Sequence, residues 1–551
     1  MRFTFPIQLA LVAGVVVSAP PSHAQQPASS QDPLTLEEVA DRVTRAEGAL
    51  GVRVQTYHPI VEVYIQNLAP DDKLGTVPVK DEYFLGQFDW ENGPKFKSLS
   101  AIKGSKNFLS RKFSVQYLPD GFAAMSVPDW HLLDRQRYDF KYIRREFVGE
   151  ARCVVLDVKP KHDIRDGFSG RIWVEDRDYN IVRFNGISRN VDQTLSTFFR
   201  KKLSFHVDSW RVNVLPGFWL PSYVYCEETD LNDNQATIQL PRIKAQVRLW
   251  GYESKGVEAQ QQFTAIRIDE PAVRDSSDQA RQLSPVMSQR RWEQEAEENV
   301  LERLNKSGLL SPPGEIDKVL ETVVNNLEVT NGITIEPPVR CRVLLTSPLE
   351  TFTLGHTIVI SRGLIDVLPD EASLATMLAH ELAHIVLGHP VIDTLLVPDG
   401  ELLRTLQFHH EDRHESAADT KVIEMLKQSP YKDKLANVGL FLRAIAASAK
   451  QLTNLIQPHM GDHIAAGGQL LRLSELVQQA PELAPERLDQ IAALPLGARL
   501  VVNPWSGRVD LARTPAVPLL SAREKTPLSV TPLMPYITYA EASPQSSPGK
   551  P

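Results

Sequence analysis

Residues 369–389 read PDEASLATMLAHELAHIVLGH, and the spacing inside this stretch decides how the C-terminal half is organised. Leu374, Met377, Leu378, Leu382, Ile385 and Val386 recur at helical spacing and make a largely apolar helix suited to burial. Asp370, just after Pro369, can cap its start, and Gly388 can end it. His380 and His384 stand four residues apart, so both imidazoles leave the same face. Two histidines and a glutamate are costly to bury on such a helix unless they are paired or bind a metal. Two neutral imidazoles at this spacing can share one zinc ion, with Glu381 beside it to hold a water. Two core histidines satisfied by hydrogen bonds would show the same spacing, so a further ligand has to separate the two readings.

Catalytic zinc takes three protein ligands and leaves a fourth position open. His389 has the wrong offset for an HExxHxxGxxH arrangement, because Leu387 and Pro390 stand where Gly and His are required. Residues 414–423 read HESAADTKVI, in which Glu415 and Asp419 again share one helix face. Glu415 is the candidate third ligand. Asp419 is the candidate acceptor for a ligand histidine, fixing its tautomer. Alone, this string reads as a solvated acidic helix face; downstream of HExxH it favours a site. One zinc ion per chain would acidify a water and polarise a scissile carbonyl. Glu381 would take the water's proton and pass it to the leaving amine, which is the chemistry of a zinc metalloendopeptidase.

As a set these residues resemble the CAAX-prenyl-protease/HtpX/BepA family of zinc peptidases. The matching pieces are residues 358–364 (IVISRGL), Asp370-Glu371, His380 to His384, and Glu415 with Asp419, over about residues 315–495. The resemblance implies polypeptide substrates, with envelope or outer-membrane assembly proteins as partners in protein quality control. It also implies an Arg or His well after ExxAD as oxyanion donor. Arg487, in the segment APERL, is the candidate, a surface helix charge being its other reading. The family's Asn-Ala-Phe ahead of its edge strand reads Glu350-Thr351-Phe352 here. Ile358, Val359 and Ile360 are the expected edge strand for an extended peptide, an internal strand being the alternative. The long connection 390–413 invites a lid reading, with His409 and His410 as candidates to plug the open metal position.

Upstream the texture changes. Between about residues 55 and 265, short runs rich in Val, Ile, Tyr, Phe and Trp alternate with turn signals such as Asp176-Arg177-Asp178 and read as one large antiparallel sheet. Within Ala151–Val158 the apolar residues Cys153 and Val155 alternate with equally apolar Val154, Leu156 and Val158, which predicts a strand covered on both faces. The runs 149–155, 159–161, 170–175 and 178–183 resemble the LolA/LolB-like lipoprotein-carrier half-barrels. That implies a curved sheet holding an acyl or lipid ligand; a plain scaffold is the other reading. Cys153, Cys226 and Cys341 cannot all pair, leaving a Cys153–Cys226 disulfide or three buried thiols open.

The start of the chain has a positive Met1-Arg2, an apolar run from Ile7 to Val17, and Ser22 and Ala24 in small-x-small spacing, the layout of a signal peptide over residues 1–24. No stretch offers the 18 or more apolar residues of a membrane span, so a soluble periplasmic protein is expected after cleavage. A formal net charge of −8 argues against a nucleic-acid partner. A length of 551 residues exceeds one core. The predicted architecture is α+β: a half-barrel-like sheet domain (34–265), a linker with a charged helix (266–314), a mostly helical zinc-peptidase domain (315–495), a C-terminal hairpin and extension (496–538) and a disordered tail (539–551). Two rival functions share this frame: a lipid- or lipoprotein-binding chaperone with little proteolysis, and a protein with a purely structural zinc.

Overall fold

The computed structural model describes residues 34–90, 95–99, 118–129, 133–161, 167–192, 202–229, 242–253, 285–389, 412–456, 464–466, 469–470, 472–497, 499–512, 520–522 and 527–540. The expected signal peptide, the 266–284 linker and His409 and His410 lie outside these residues.

The first helix, α1 (Leu36–Val54), starts at a capping box in which Thr35 and Glu38 each accept from the other's backbone N–H. Its buried stripe of Val43, Leu50 and Val54 lies on a ten-stranded antiparallel sheet. In chain order the strands are β1 (Ile60–Asp71), β2 (Gly75–Asp89), β3 (Lys95–Ser98), β4 (Tyr138–Val148), β5 (Ala151–Pro160), β6 (Gly167–Glu175), β7 (Ile181–Asp192), β8 (Lys202–Leu215), β9 (Phe218–Thr229) and β10 (Ile243–Trp250). Their spatial order is β3-β2-β1-β10-β9-β8-β7-β6-β5-β4, so the sheet is open, with β3 and β4 at its two ends.

Both faces of the sheet are covered, and they differ chemically. Along β1, Val61, Val63 and Ile65 point to one side, and Glu62, Tyr64 and Gln66 to the other. The first face is aliphatic and Phe-rich. It is filled by Phe84, Phe88, Phe168, Phe184 and Phe205, with α1 and the short α2 (Pro119–Ala124), whose Phe122 packs edge-on to Phe205, over it. The second face carries Tyr64, Tyr83, Trp210, Tyr223 and Trp250, and it shares one continuous core with the C-terminal helices. Strand β5 follows the expected two-faced pattern, with Cys153 and Val155 in the shared core and Val154, Leu156 and Val158 in the other. Cys153 and Cys226 therefore sit on opposite faces, and all three cysteines are buried free thiols. Burial pushes the Cys153 thiol up to about 12.

The C-terminal part opens with α3 (Pro285–Lys306), the charged helix expected within 266–314, and α4 (Glu315–Asn331). A three-stranded sheet follows, made of β11 (Arg340–Leu344), β12 (Thr351–Leu354) and β13 (Thr357–Ser361) in the order β11-β13-β12. This corrects the edge-strand expectation. Ile358, Val359 and Ile360 lie on the central strand, bonded to β11 on one side and β12 on the other, so their backbone groups have no edge to offer a peptide. Next come α5 (Arg362–Val367), α6 (Glu371–Leu387), α7 (Asp412–Gln428), α8 (Leu435–Ser448) and α9 (Thr453–Ile456). Further on, Leu500–Val502 pairs with Val509–Leu511. Tyr539 and Ala540, assigned to the tail by composition, are held by Glu150 and Asn213. Among the described residues no helix is long and apolar enough to cross a membrane.

A buried polar clamp joins the two parts. Glu62 accepts from the backbone N–H and hydroxyl of Ser347 at 2.5 and 2.7 Å, from Arg362 Nη2 at 2.8 Å and from the Tyr83 hydroxyl at 3.0 Å. Arg362 also donates to Asp366 and to the Leu345 carbonyl, and both Glu62 and Arg362 side chains are only 1% exposed. Nearby, Asp81 of β2 accepts from the backbone N–H groups of Asn454 and Leu455. Gly363 follows Arg362 because the Ser347 carbonyl passes so close that a Cβ would sit 1.7 Å from its oxygen. Gly363→Ala is therefore expected to destabilise the protein by at least about 1–3 kcal/mol. A urea titration reads this as a lower midpoint; an unchanged midpoint would show that the turn relaxes freely.

Candidate active site

Helix α6 forms where the sequence predicted it. Asp370 accepts from the Ser373 N–H at 2.8 Å, and Gly388 ends the helix with φ 66°. Burial runs continuously from Ala375 to His384, so His380, Glu381 and His384 enter the core at 1%, 0% and 0% exposure. Helix α7 packs against α6 and brings Glu415 to the same point.

The three proposed ligand side chains converge. His380 Nε2 lies 2.9 Å from Glu415 Oε2 and 3.1 Å from His384 Nε2, and His384 Nε2 lies 3.6 Å from Glu415 Oε1. Three N and O ligands at tetrahedral zinc distances would stand about 3.4 Å apart, so the spacing suits one such ion. On its far side the His380 ring sets Nδ1 3.1 Å from Asp419 Oδ1, which leaves Nε2 bare for a metal. Asp419 is itself held by the Leu473 N–H at 2.8 Å. His389, excluded as a ligand by its offset, meets His384 Nδ1 at 3.1 Å and stacks on His414.

Charge balance points the same way. Among the described residues, Glu381, Glu415 and Asp419 gather around the two histidines with Arg472 beside Glu381, a carboxylate-rich cluster that a divalent cation would suit. Burial raises the Glu415 carboxyl, but hydrogen bonds from His380 and His384 outweigh it and hold the group far below the usual carboxylate range. Burial and Arg472 push His380 down, yet its bonds to Asp419 and Glu415 carry it up to about 9: a proton takes the part that the cation would play. Burial and the neighbouring His384 and His414 lower His389 to about 4, which keeps its ring neutral at ordinary pH and able to accept from His384.

Two further residues reach Glu381 that the sequence did not mark for the site. Thr351, at the start of β12, donates from Oγ1 to Glu381 Oε1 at 2.5 Å, and Arg472 Nη1 approaches the same oxygen at 3.4 Å. Glu381 Oε2 is buried with no hydrogen-bond partner, the environment suited to an oxygen that receives a proton. Arg487 is elsewhere. Its exposed guanidinium pairs with Asp489, so the arginine beside Glu381 is Arg472 instead. No single motif announces Arg472; it stands alone in an apolar run, and only tertiary packing brings it to the site.

Two histidines one helical turn apart, a carboxylate from the next helix and a glutamate beside the first histidine are the equipment of an HExxH metallopeptidase. The family model fits that class: residues 316–457 match Peptidase family M48, so the chain carries an M48 metallopeptidase domain. No curated protein matches the chain. Similar solved structures include a LolA superfamily protein from Nitrosomonas europaea (12% identity, 38% of this chain and 90% of that one, TM-score 0.20). A DUF1329 family protein from Desulfovibrio piger is also similar (11% identity, 37% and 90%, TM-score 0.17).

Proposed function

We propose that this chain is a zinc endopeptidase acting on polypeptides in a bacterial envelope, with His380, His384 and Glu415 as ligands and Glu381 as general base. The convergence of the two Nε2 atoms and the Glu415 carboxylate within 3.6 Å carries the reading. A zinc ion held there would act as Lewis acid toward the scissile carbonyl and acidify a water. Glu381 Oε2 takes the proton of the attacking water and hands it to the leaving amine. Arg472, buried beside Glu381, supports a role in receiving the negative charge that grows on the carbonyl oxygen. Asp419 and His389 hold the two ligand rings in the tautomer that presents Nε2. The signal-peptide layout of residues 1–24 supports export.

Elemental analysis and casein cleavage by the full chain test this together. One zinc per chain is expected, with hydrolysis lost to a chelator and regained on adding zinc. His384→Ala is expected to lose both metal and activity. Cleavage that ignores the chelator, or full metal content in His384→Ala, would refute the proposal. Metal that stays bound in a chain unable to cleave any polypeptide would favour the chaperone or structural-zinc alternatives.

A further inference from the structure

We infer that Thr351 is a positioning residue for the general base, tethering one oxygen of Glu381 so that the other faces the reacting water; the inference rests on the proposed role of Glu381. The two oxygens of this carboxylate are not equivalent. Oε1 accepts from the Thr351 hydroxyl at 2.5 Å and lies 3.4 Å from Arg472, whereas Oε2 is buried with no hydrogen-bond partner. A carboxylate held through one oxygen cannot swing freely about its last torsion, so the remaining lone pairs keep a fixed aim. Thr351 itself is fully buried, and a hydrogen bond from a neutral hydroxyl to a buried charge is among the stronger kinds.

The tether is anchored well away from the helix it serves. Thr351 opposes Ile360 across the β12–β13 ladder. The preceding residue, Glu350, is fastened to Ser361 by two hydrogen bonds, at 3.1 and 2.9 Å. Leu349 donates to the Leu455 carbonyl, and Ser347 is gripped by Glu62 of the large sheet. Each link from Glu62 to Thr351 is buried, so the hydroxyl's position is set by the ten-stranded sheet as well as by the peptidase helices.

Steady-state kinetics on a fluorogenic peptide test the inference, using the full metal-loaded chain and its Thr351→Val, Thr351→Ser and Glu381→Gln variants. Thr351→Val, which keeps the shape and removes the donor, is expected to lower kcat about 10- to 100-fold, the weight of a hydrogen bond to a charged group. KM should stay within about twofold, because ground-state contacts are untouched. Metal content should remain one per chain. Thr351→Ser, which restores the hydroxyl, should recover most of kcat, a rescue that a merely structural role would not produce. If Thr351→Val fails to fold, Thr351→Ala takes its part in the same comparison with Thr351→Ser. Wild-type kcat in the hydroxyl-free variant beside an inactive Glu381→Gln would overturn the tether alone. Equal losses in the Ser and Val variants would also overturn it, since packing and not the hydroxyl would then be at work. An active Glu381→Gln would instead remove the general base, and the tether with it.

Discussion

Glu381→Gln is expected to lower peptide hydrolysis by about 10²- to 10⁴-fold, the usual contribution of a positioned general base. The substitution keeps side-chain volume and leaves the Thr351 hydroxyl an amide oxygen to donate to. It removes the carboxylate proposed to take a proton from water. Because Glu381 is outside the His380, His384 and Glu415 group, zinc content should be unchanged. Stability should hold or rise, because burying an ionised carboxylate is costly and a neutral amide relieves that cost. The checks are casein cleavage, elemental analysis and a urea melt on one preparation. Loss of metal together with activity would show Glu381 to be a ligand, and retained activity would move the base elsewhere.

The second large effect is expected far from the metal. Glu62→Ala should destabilise the folded protein by about 3–5 kcal/mol, the cost of removing one partner from a buried charge pair. Arg362, 1% exposed, would keep the Asp366 carboxylate at 3.2 Å as its charged partner beside the neutral Leu345 carbonyl and Ser347 hydroxyl, and the Ser347 N–H and the Tyr83 hydroxyl would lose their acceptor. A urea titration measures the loss directly. Replacing Glu62 and Arg362 together by Met should recover much of it, since a hydrophobic pair of similar volume is often as stable as the ions it replaces. A Glu62→Ala midpoint equal to wild type would mean that water enters and solvates Arg362, and that the clamp is open.

What could be read from the chain alone was what a helix or a strand encodes locally. The helix repeat puts residues four apart on one face, so His380 with His384, and Glu415 with Asp419, were legible before any coordinates. The two-sided apolar pattern of Ala151–Val158 announced a strand covered on both faces, but nothing local says that the second cover is the peptidase itself. Ile358, Val359 and Ile360 look the same at the edge or the centre of a sheet. The choice is made by Arg340–Leu344 and Thr351–Leu354, whose order across the sheet no local pattern encodes. Arg472 and Arg487 are chemically identical, and only the fold decides which one meets Glu381 and which pairs with Asp489 in solvent. Thr351 reaches Glu381 across 30 residues of chain, through a hydrogen bond with no spacing rule behind it.

The seating of β1 has a consequence for how the molecule is made. Its neighbour β10 ends at Trp250, and Gln66 bonds to Leu528 and Val530, some 460 residues later. β1 can pair with β2 at once and with β10 after residue 250, but its Gln66 is satisfied only by Leu528 and Val530, and contacts of such long sequence separation make folding slow. Glu62 sits on this same strand and grips Ser347 and Arg362, 285 and 300 residues later, so the wall bearing Thr351 is braced only once both parts of the chain are made. The helix bearing His380 and His384 follows both of these anchors in the chain, so the wall beside it can be seated as soon as the helix itself is made.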